Sequence, residues 1–219
     1  MIRTLLFLAC LATPAWALEL VVDAAVGFRH VNEIDLAALG ESGEFGSAND
    51  ASPGQLGFFF AAGVRPVDFL EVQISAGIAI GGLALGHVEE RYFDSDEAAI
   101  GSSLAVEAGG AAMWSHDLAD RWTVLVGPSA AAHAMSAASP VGSARVSSLR
   151  LGAAGAVRYA IAPNAKRVWG HLQLWTDYSL HLPQHVDVGS GDTAKIENSD
   201  PSGNFTSLAF LLGYGMTFR

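Results

Sequence analysis

Four side chains have the types that hydrolytic chemistry uses: His133, Ser136, His181 and His185. A serine nucleophile needs a base within hydrogen-bond reach, and the base needs a group to orient it. Ala134 and Met135 separate His133 from Ser136, and neither Gly-x-Ser-x-Gly nor His-Glu-x-x-His occurs. The one cysteine, Cys10, lies in the apolar N-terminal stretch. Residues 18–219 therefore offer no thiolate nucleophile, thiolate metal site or disulfide. The expectation is a chain that is not an enzyme and carries no cofactor, with these four residues near an exposed rim.

The rest of the conspicuous chemistry is carboxylate. Fourteen of the 22 acidic residues fall in four predicted connections, against three of the 12 basic ones, Arg91, Arg145 and Lys195. Clustered carboxylates are hard oxygen ligands, which makes Asp94, Asp96 and Glu97 a candidate divalent-cation loop. It lacks the glycine of an EF-hand loop, and the same acidity serves simply to solvate exposed loops. A net charge of −10 argues against nucleic acid as a partner.

The elements that must position these groups follow from periodicity. Residues 1–17 read as a cleavable export signal: Arg3, an apolar stretch from Thr4 to Ala12, Pro14, then Ala15-Trp16-Ala17. No run of eighteen apolar residues follows, so no transmembrane helix is expected. Instead, residues 18–219 contain eight alternating segments of the length a membrane strand needs. They run Glu19–Arg29, Leu56–Arg65, Leu70–Gly81, Ser103–Trp114, Trp122–Ala134, Val146–Tyr159, Trp169–Leu180 and Phe205–Arg219. The third is the cleanest: Leu70, Val72, Ile74, Ala76, Ile78 and Ile80 oppose Glu71, Gln73, Ser75, Gly77, Ala79 and Gly81.

Long and short connections alternate between these segments, with Met135–Arg145 read as a third loop and His181–Asn204 as a fourth. That is the pattern of an up-and-down antiparallel barrel with long extracellular loops and short periplasmic turns. The fourth loop can extend as a hairpin around Gly189–Asp192. Its charges and short arms argue against a membrane hairpin, which would raise the count from eight strands to ten.

Alternation assigns each side chain a face. The inward set holds Glu19, Asp23, Arg29, Arg65, Glu71, Glu107, Arg150, Arg158, His171 and Asp177, a charged network inside a barrel whose interior side chains can fill. Arg65 and Glu71 are expected to pair across their short turn, and Arg158 to approach His171. Small inward residues such as Gly77 and Ala105 leave open the alternative of a narrow polar conduit. Trp114, Trp122, Tyr159 and Phe218 fall on the outer face near the short-turn end, as an interfacial aromatic girdle would.

On these segments, and on the closing run Leu208–Arg219, the chain resembles the small eight-stranded outer-membrane barrels of the OmpA, OmpX and OmpW class. The resemblance implies an outer-membrane location and a monomer among lipid and lipopolysaccharide. It also implies a C-terminal strand read by the barrel assembly machinery, although Arg219 here follows the terminal aromatic. Within that class it implies a structural or surface-interaction protein, with a narrow channel as the alternative. A lipid A-modifying or proteolytic barrel is a more distant reading, because the His-x-Ser pattern of lipid A deacylases is missing at His133.

Overall fold

A backbone that enters lipid must pair every amide and carbonyl within itself, so a set of amphipathic strands is stable there only as a closed sheet. The computed structural model describes residues 18–32, 54–84, 100–139, 142–161, 167–190, 193–198 and 203–219. The strands are β1 (Glu19–Val31), β2 (Gly54–Val67), β3 (Leu70–Ala84), β4 (Ile100–Ala119) and β5 (Trp122–Ser139), then β6 (Gly142–Ala160), β7 (Val168–Ser190), β8 (Thr193–Asn198) and β9 (Phe205–Phe218). Every barrel neighbour is antiparallel, and β1 pairs with both β2 and β9, which closes the sheet.

The register sets the width of the barrel. From Asp23, the pairing runs through Ala61, Ser75, Gly109, Ala131, Arg150 and His181 to Phe205. Asp23 itself sits opposite Gly215, ten residues further along β9 than Phe205. A stagger of that size over eight strands tilts them by roughly 40–45° and leaves an interior only wide enough for side chains.

β8 does not add a ninth stave. It pairs with the upper part of β7, Val186 opposite Asn198 and Val188 opposite Ile196, beyond the point where β9 begins opposite His181. The hairpin foreseen in the fourth connection therefore forms, and the barrel remains eight-stranded.

Two boundaries differ from the sequence reading. The third connection is not a loop of the length expected: β5 and β6 continue until Ser139 pairs with Gly142, leaving residues 140–141 between them. Its arms are mostly small residues (Ala137, Ala138, Ser143, Ala144), which satisfy a ladder but give no apolar alternation to detect. β7 also runs on, past Pro183, because the proline sits at a register shift against Ser147 and Ser148, where a missing donor is tolerated. The export segment 1–17 and the candidate cation residues Asp94, Asp96 and Glu97 lie outside the described residues, as do most of the acidic connections.

The two faces separate as period-two alternation requires. On β3, Ile74 is 70% exposed while Glu71 is completely buried. Phe58, Phe60, Ile80, Phe210 and Leu212 continue the outward apolar surface. At the short-turn end the rings of Phe69 and Trp114 lie 6.2 Å apart, and those of Trp122 and Tyr159 lie 4.9 Å apart. Phe218 sits at the same end, opposite Leu20 and Val168.

Inside, Phe59 is the largest wedge on β2. Its ring occupies the space that a Cβ would need at Gly57 and at Gly77. These two glycines are thus required by a close approach rather than by a turn. Gly77→Val is expected to force Phe59 aside and lower unfolding free energy by about 1–3 kcal/mol, read as a lower urea midpoint. Gly82→Val, where a Cβ meets nothing within 4 Å, should stay within about 0.5 kcal/mol of the parent.

Candidate functional site

Alternation turns ionisable side chains on seven of the eight staves into one lumen, where a charge without a partner is costly. The structure distributes them into two clusters. Near the short-turn end, Arg158 of β6 reaches across to β1 and β3. Its Nη1 donates to Glu71 at 2.6 Å, its Nη2 to Asp23 at 2.8 Å and to Glu71 at 2.9 Å, and its Nε to Gln173 at 3.1 Å. All three guanidinium nitrogens are engaged, a use for which the rigid fork of arginine suits and lysine does not. Arg65 donates to Glu71 at 3.1 Å and to Glu19 at 3.3 Å. His171 Nε2 lies 2.7 Å from Asp23, so Arg158 and His171 meet through a shared carboxylate rather than each other. A Cβ at Gly215 would strike both Asp23 and His171, so this glycine makes room for their pair.

Arg219 completes that cluster from outside. Its Nε donates to Glu19 at 2.9 Å, its guanidinium lies 5.5 Å over the ring of Trp169, and its amide donates to the Arg167 carbonyl. Three carboxylates (Glu19, Asp23, Glu71) thus face three guanidinium groups (Arg65, Arg158, Arg219).

Towards the loop end lies a second balanced cluster. Arg29 clamps Glu107 through two bonds of 2.6 and 3.0 Å, a bidentate geometry. Arg150 bridges Glu107 at 3.3 Å and Asp177 at 3.2 Å. Asp177 also accepts from Ser129 at 2.8 Å and from Ser179. The Arg29 guanidinium sits 5.1 Å over the Phe59 ring. Between the clusters is a cavity of about 50 Å³ lined by Asp23, Arg29, Glu107, Arg150, Trp175 and Asp177, among others. That is room for a few water molecules. The Nε atoms of Arg29 and Arg150 and the Oε1 of Gln73 are buried without a hydrogen-bond partner among the described residues.

All ten inward residues singled out by alternation (Glu19, Asp23, Arg29, Arg65, Glu71, Glu107, Arg150, Arg158, His171 and Asp177) belong to these two clusters. The rim histidines do not lie where expected. His133 and His181 are buried inside the barrel, because β5 and β7 run further than the sequence suggests. Both turn Nδ1 towards Ser148, at 3.3 and 3.1 Å, and His181 Nε2 meets Ser207 at 2.8 Å. The His181 ring stacks on Phe205 at 4.4 Å.

Ser136 faces outward; the serine that meets the histidines is Ser148, on β6 beside β7, adjacent to His181 in space but 33 residues from it in the chain. Ser148 is buried, and with His133, Glu107 and Gln184 it lines an open pocket of about 690 Å³. His185 lies on the extended part of β7 and pairs with Asp187 at 3.1 Å. Among the described residues, no group of three His, Cys, Asp or Glu side chains is arranged to hold a metal ion.

Above the histidines, Val31, Met135, Val146 and Val186 are buried and apolar, and line the lumen towards the loop side. Below, Met113, Leu125, Ala154 and Ala156 form a second apolar patch against Trp175. The interior is therefore a stack of side-chain layers.

No family model matches the chain, and no curated protein matches it. Among solved structures, the outer membrane protein OprG from Pseudomonas aeruginosa is similar at a TM-score of 0.53 and 12% identity, over 91% of this chain and 96% of that one. Neisserial surface protein A is similar at a TM-score of 0.46 and 13% identity, over 93% and 98%. At such identities the likeness is one of fold: a closed, eight-stranded, antiparallel barrel of the small outer-membrane type.

The ion pairs make a prediction about stability. Arg158→Met leaves Glu71 and Asp23 buried with too few partners and should lower unfolding free energy by about 3–5 kcal/mol, measured by urea titration of the refolded protein. Adding Glu71→Gln and Asp23→Asn to Arg158→Met should recover part of that loss. If the triple variant is worse by the sum of the parts, the three do not act as one cluster.

Proposed function

We propose that this chain is a bacterial outer-membrane protein that acts through its wall and its acidic loops, as a structural or surface-interaction barrel. The observation that carries this reading is the filled lumen. Two charge-balanced clusters and two apolar patches occupy the interior, and the space between the clusters is about 50 Å³. A hydrated ion needs a continuous path far larger than that. The outward apolar surface and the aromatic girdle support a membrane location, and the overall fold is the one outer-membrane proteins use.

On this reading residues 1–17 direct export and are removed after Ala17, and the strand ending at Phe218 is the element the assembly machinery recognises. The partners are outer-membrane lipid and lipopolysaccharide. The acidic loops meet lipopolysaccharide through bridging divalent cations, for which Asp94, Asp96 and Glu97 are the best-grouped ligands. The protein is a monomer, binds no nucleic acid, and is not an enzyme: Ser148 is buried, and Ser136 faces outward without the serine–histidine contact that hydrolysis requires.

The competing reading is a narrow channel, and planar-bilayer recording of the refolded protein separates the two. A closed lumen predicts no steady conductance above that of the bare bilayer. Discrete, stable steps that change when Arg150→Ala is introduced would instead support a conduit through the upper cluster. Fractionation tests the location: the protein should remain with outer membranes and shift in gel mobility on heating, and recovery in the soluble periplasmic fraction would contradict the whole reading.

A further inference from the structure

Most arginines on the barrel are spent on internal carboxylates; Arg121 is not. It lies in the turn between β4 and β5, exposed, at the short-turn end of the girdle. Its backbone is tied down, because its carbonyl accepts from the Ala160 amide at 2.8 Å. Its Nη1 donates to the Tyr159 hydroxyl at 3.1 Å, which holds the guanidinium against the outer face of β6. The Tyr159 ring in turn packs on Trp122 at 4.9 Å with a 57° tilt, and Trp122 is half exposed on the lipid side. The nearby carboxylate of Asp117 is already occupied by the Thr123 hydroxyl at 2.6 Å. No carboxylate of the described residues forms an ion pair with Arg121.

We propose that Arg121, Tyr159 and Trp122 form a binding site for the headgroup of an anionic phospholipid in the leaflet at the short-turn end. The chemistry is complementary at each depth. A guanidinium has five N–H donors, and one bond to a phenol leaves a fork free for two phosphate oxygens. The Trp–Tyr pair supplies an apolar face for the glycerol and upper acyl chain, with its polar atoms at the wet boundary. Fixing the guanidinium on Tyr159 lowers the cost of ordering it when lipid arrives. Phospholipid, rather than lipopolysaccharide, is the occupant because the site lies at the end opposite the acidic loops.

This inference rests on the membrane reading above, and the test keeps the two apart. The refolded protein is placed in nanodiscs holding equal phosphatidylglycerol and phosphatidylcholine, released, and examined by native mass spectrometry for retained lipid. The parent should retain one phosphatidylglycerol in preference to phosphatidylcholine by about fivefold, the scale of one interfacial cation on an anionic lipid. Arg121→Ala should abolish that preference, and Tyr159→Phe should weaken it while keeping the charge. Arg121 is exposed in a turn, so both variants should retain the heat-modifiable mobility of a folded barrel. Equal preference in Arg121→Ala and parent overturns the site and leaves the membrane reading standing. Failure of the parent to enter nanodiscs at all overturns the membrane reading itself.

Discussion

A sheet that closes on eight strands with a ten-residue stagger has no interior to spare, and every inward side chain must find its partner inside that width. This one constraint explains why the lumen is organised as it is. Guanidinium and carboxylate groups cannot reach bulk water from the middle of the barrel, so they must neutralise one another locally. They do so in two groups of matched sign, rather than as charges scattered along the lumen. The glycines follow from the same constraint. Gly57 and Gly77 yield space to Phe59, and Gly215 yields space to Asp23 and His171.

The ion pairs also stitch the barrel across its closing seam. Arg158 on β6 binds Asp23 on β1, and Arg29 on β1 binds Glu107 on β4, so both clusters join staves that are not neighbours in the sheet. Arg219, beyond the last strand, reaches Glu19 at the start of the first. Hydrogen-bond ladders alone join neighbours; these cross-lumen pairs fix which arrangement of neighbours is the native one. Such pairs contribute less to net stability than their number suggests, because each replaces water on two ions. Their larger effect is on the penalty for any register that separates them.

Alternation in the sequence is strong enough to assign faces, which is why the lumen residues could be named one by one. It reads position and not partner. Arg65 and Glu71 could be matched because a short turn brings β2 and β3 together. Arg29 and Glu107 could not, since that match depends on the stagger, a property of the closed sheet that no single strand carries. Strand ends were the weakest feature. Runs of alanine and serine on β5 and β6 continue a ladder without marking one face as apolar, and β7 continues past Leu180 because a register shift accommodates Pro183. The consequence is chemical as well as structural: strands ending at Ala134 and Leu180 would leave His133 and His181 on a rim, whereas the longer β5 and β7 place both inside the barrel.

Alternation along β3 should set lipid against one face and a side-chain core against the other. Residues 18–219 contain no cysteine, so single cysteines on β3 can carry spin labels without background. Accessibility to oxygen, which partitions into lipid, and to a water-soluble nickel chelate should be measured in vesicles at Ile74→Cys, Ser75→Cys, Ile78→Cys and Ala79→Cys. Labels at 74 and 78 should be reached by oxygen and not by nickel, and labels at 75 and 79 by neither. Nickel access at 75 and 79 would mean a water-filled lumen, and nickel access at 74 and 78 would mean that the apolar face never meets a membrane.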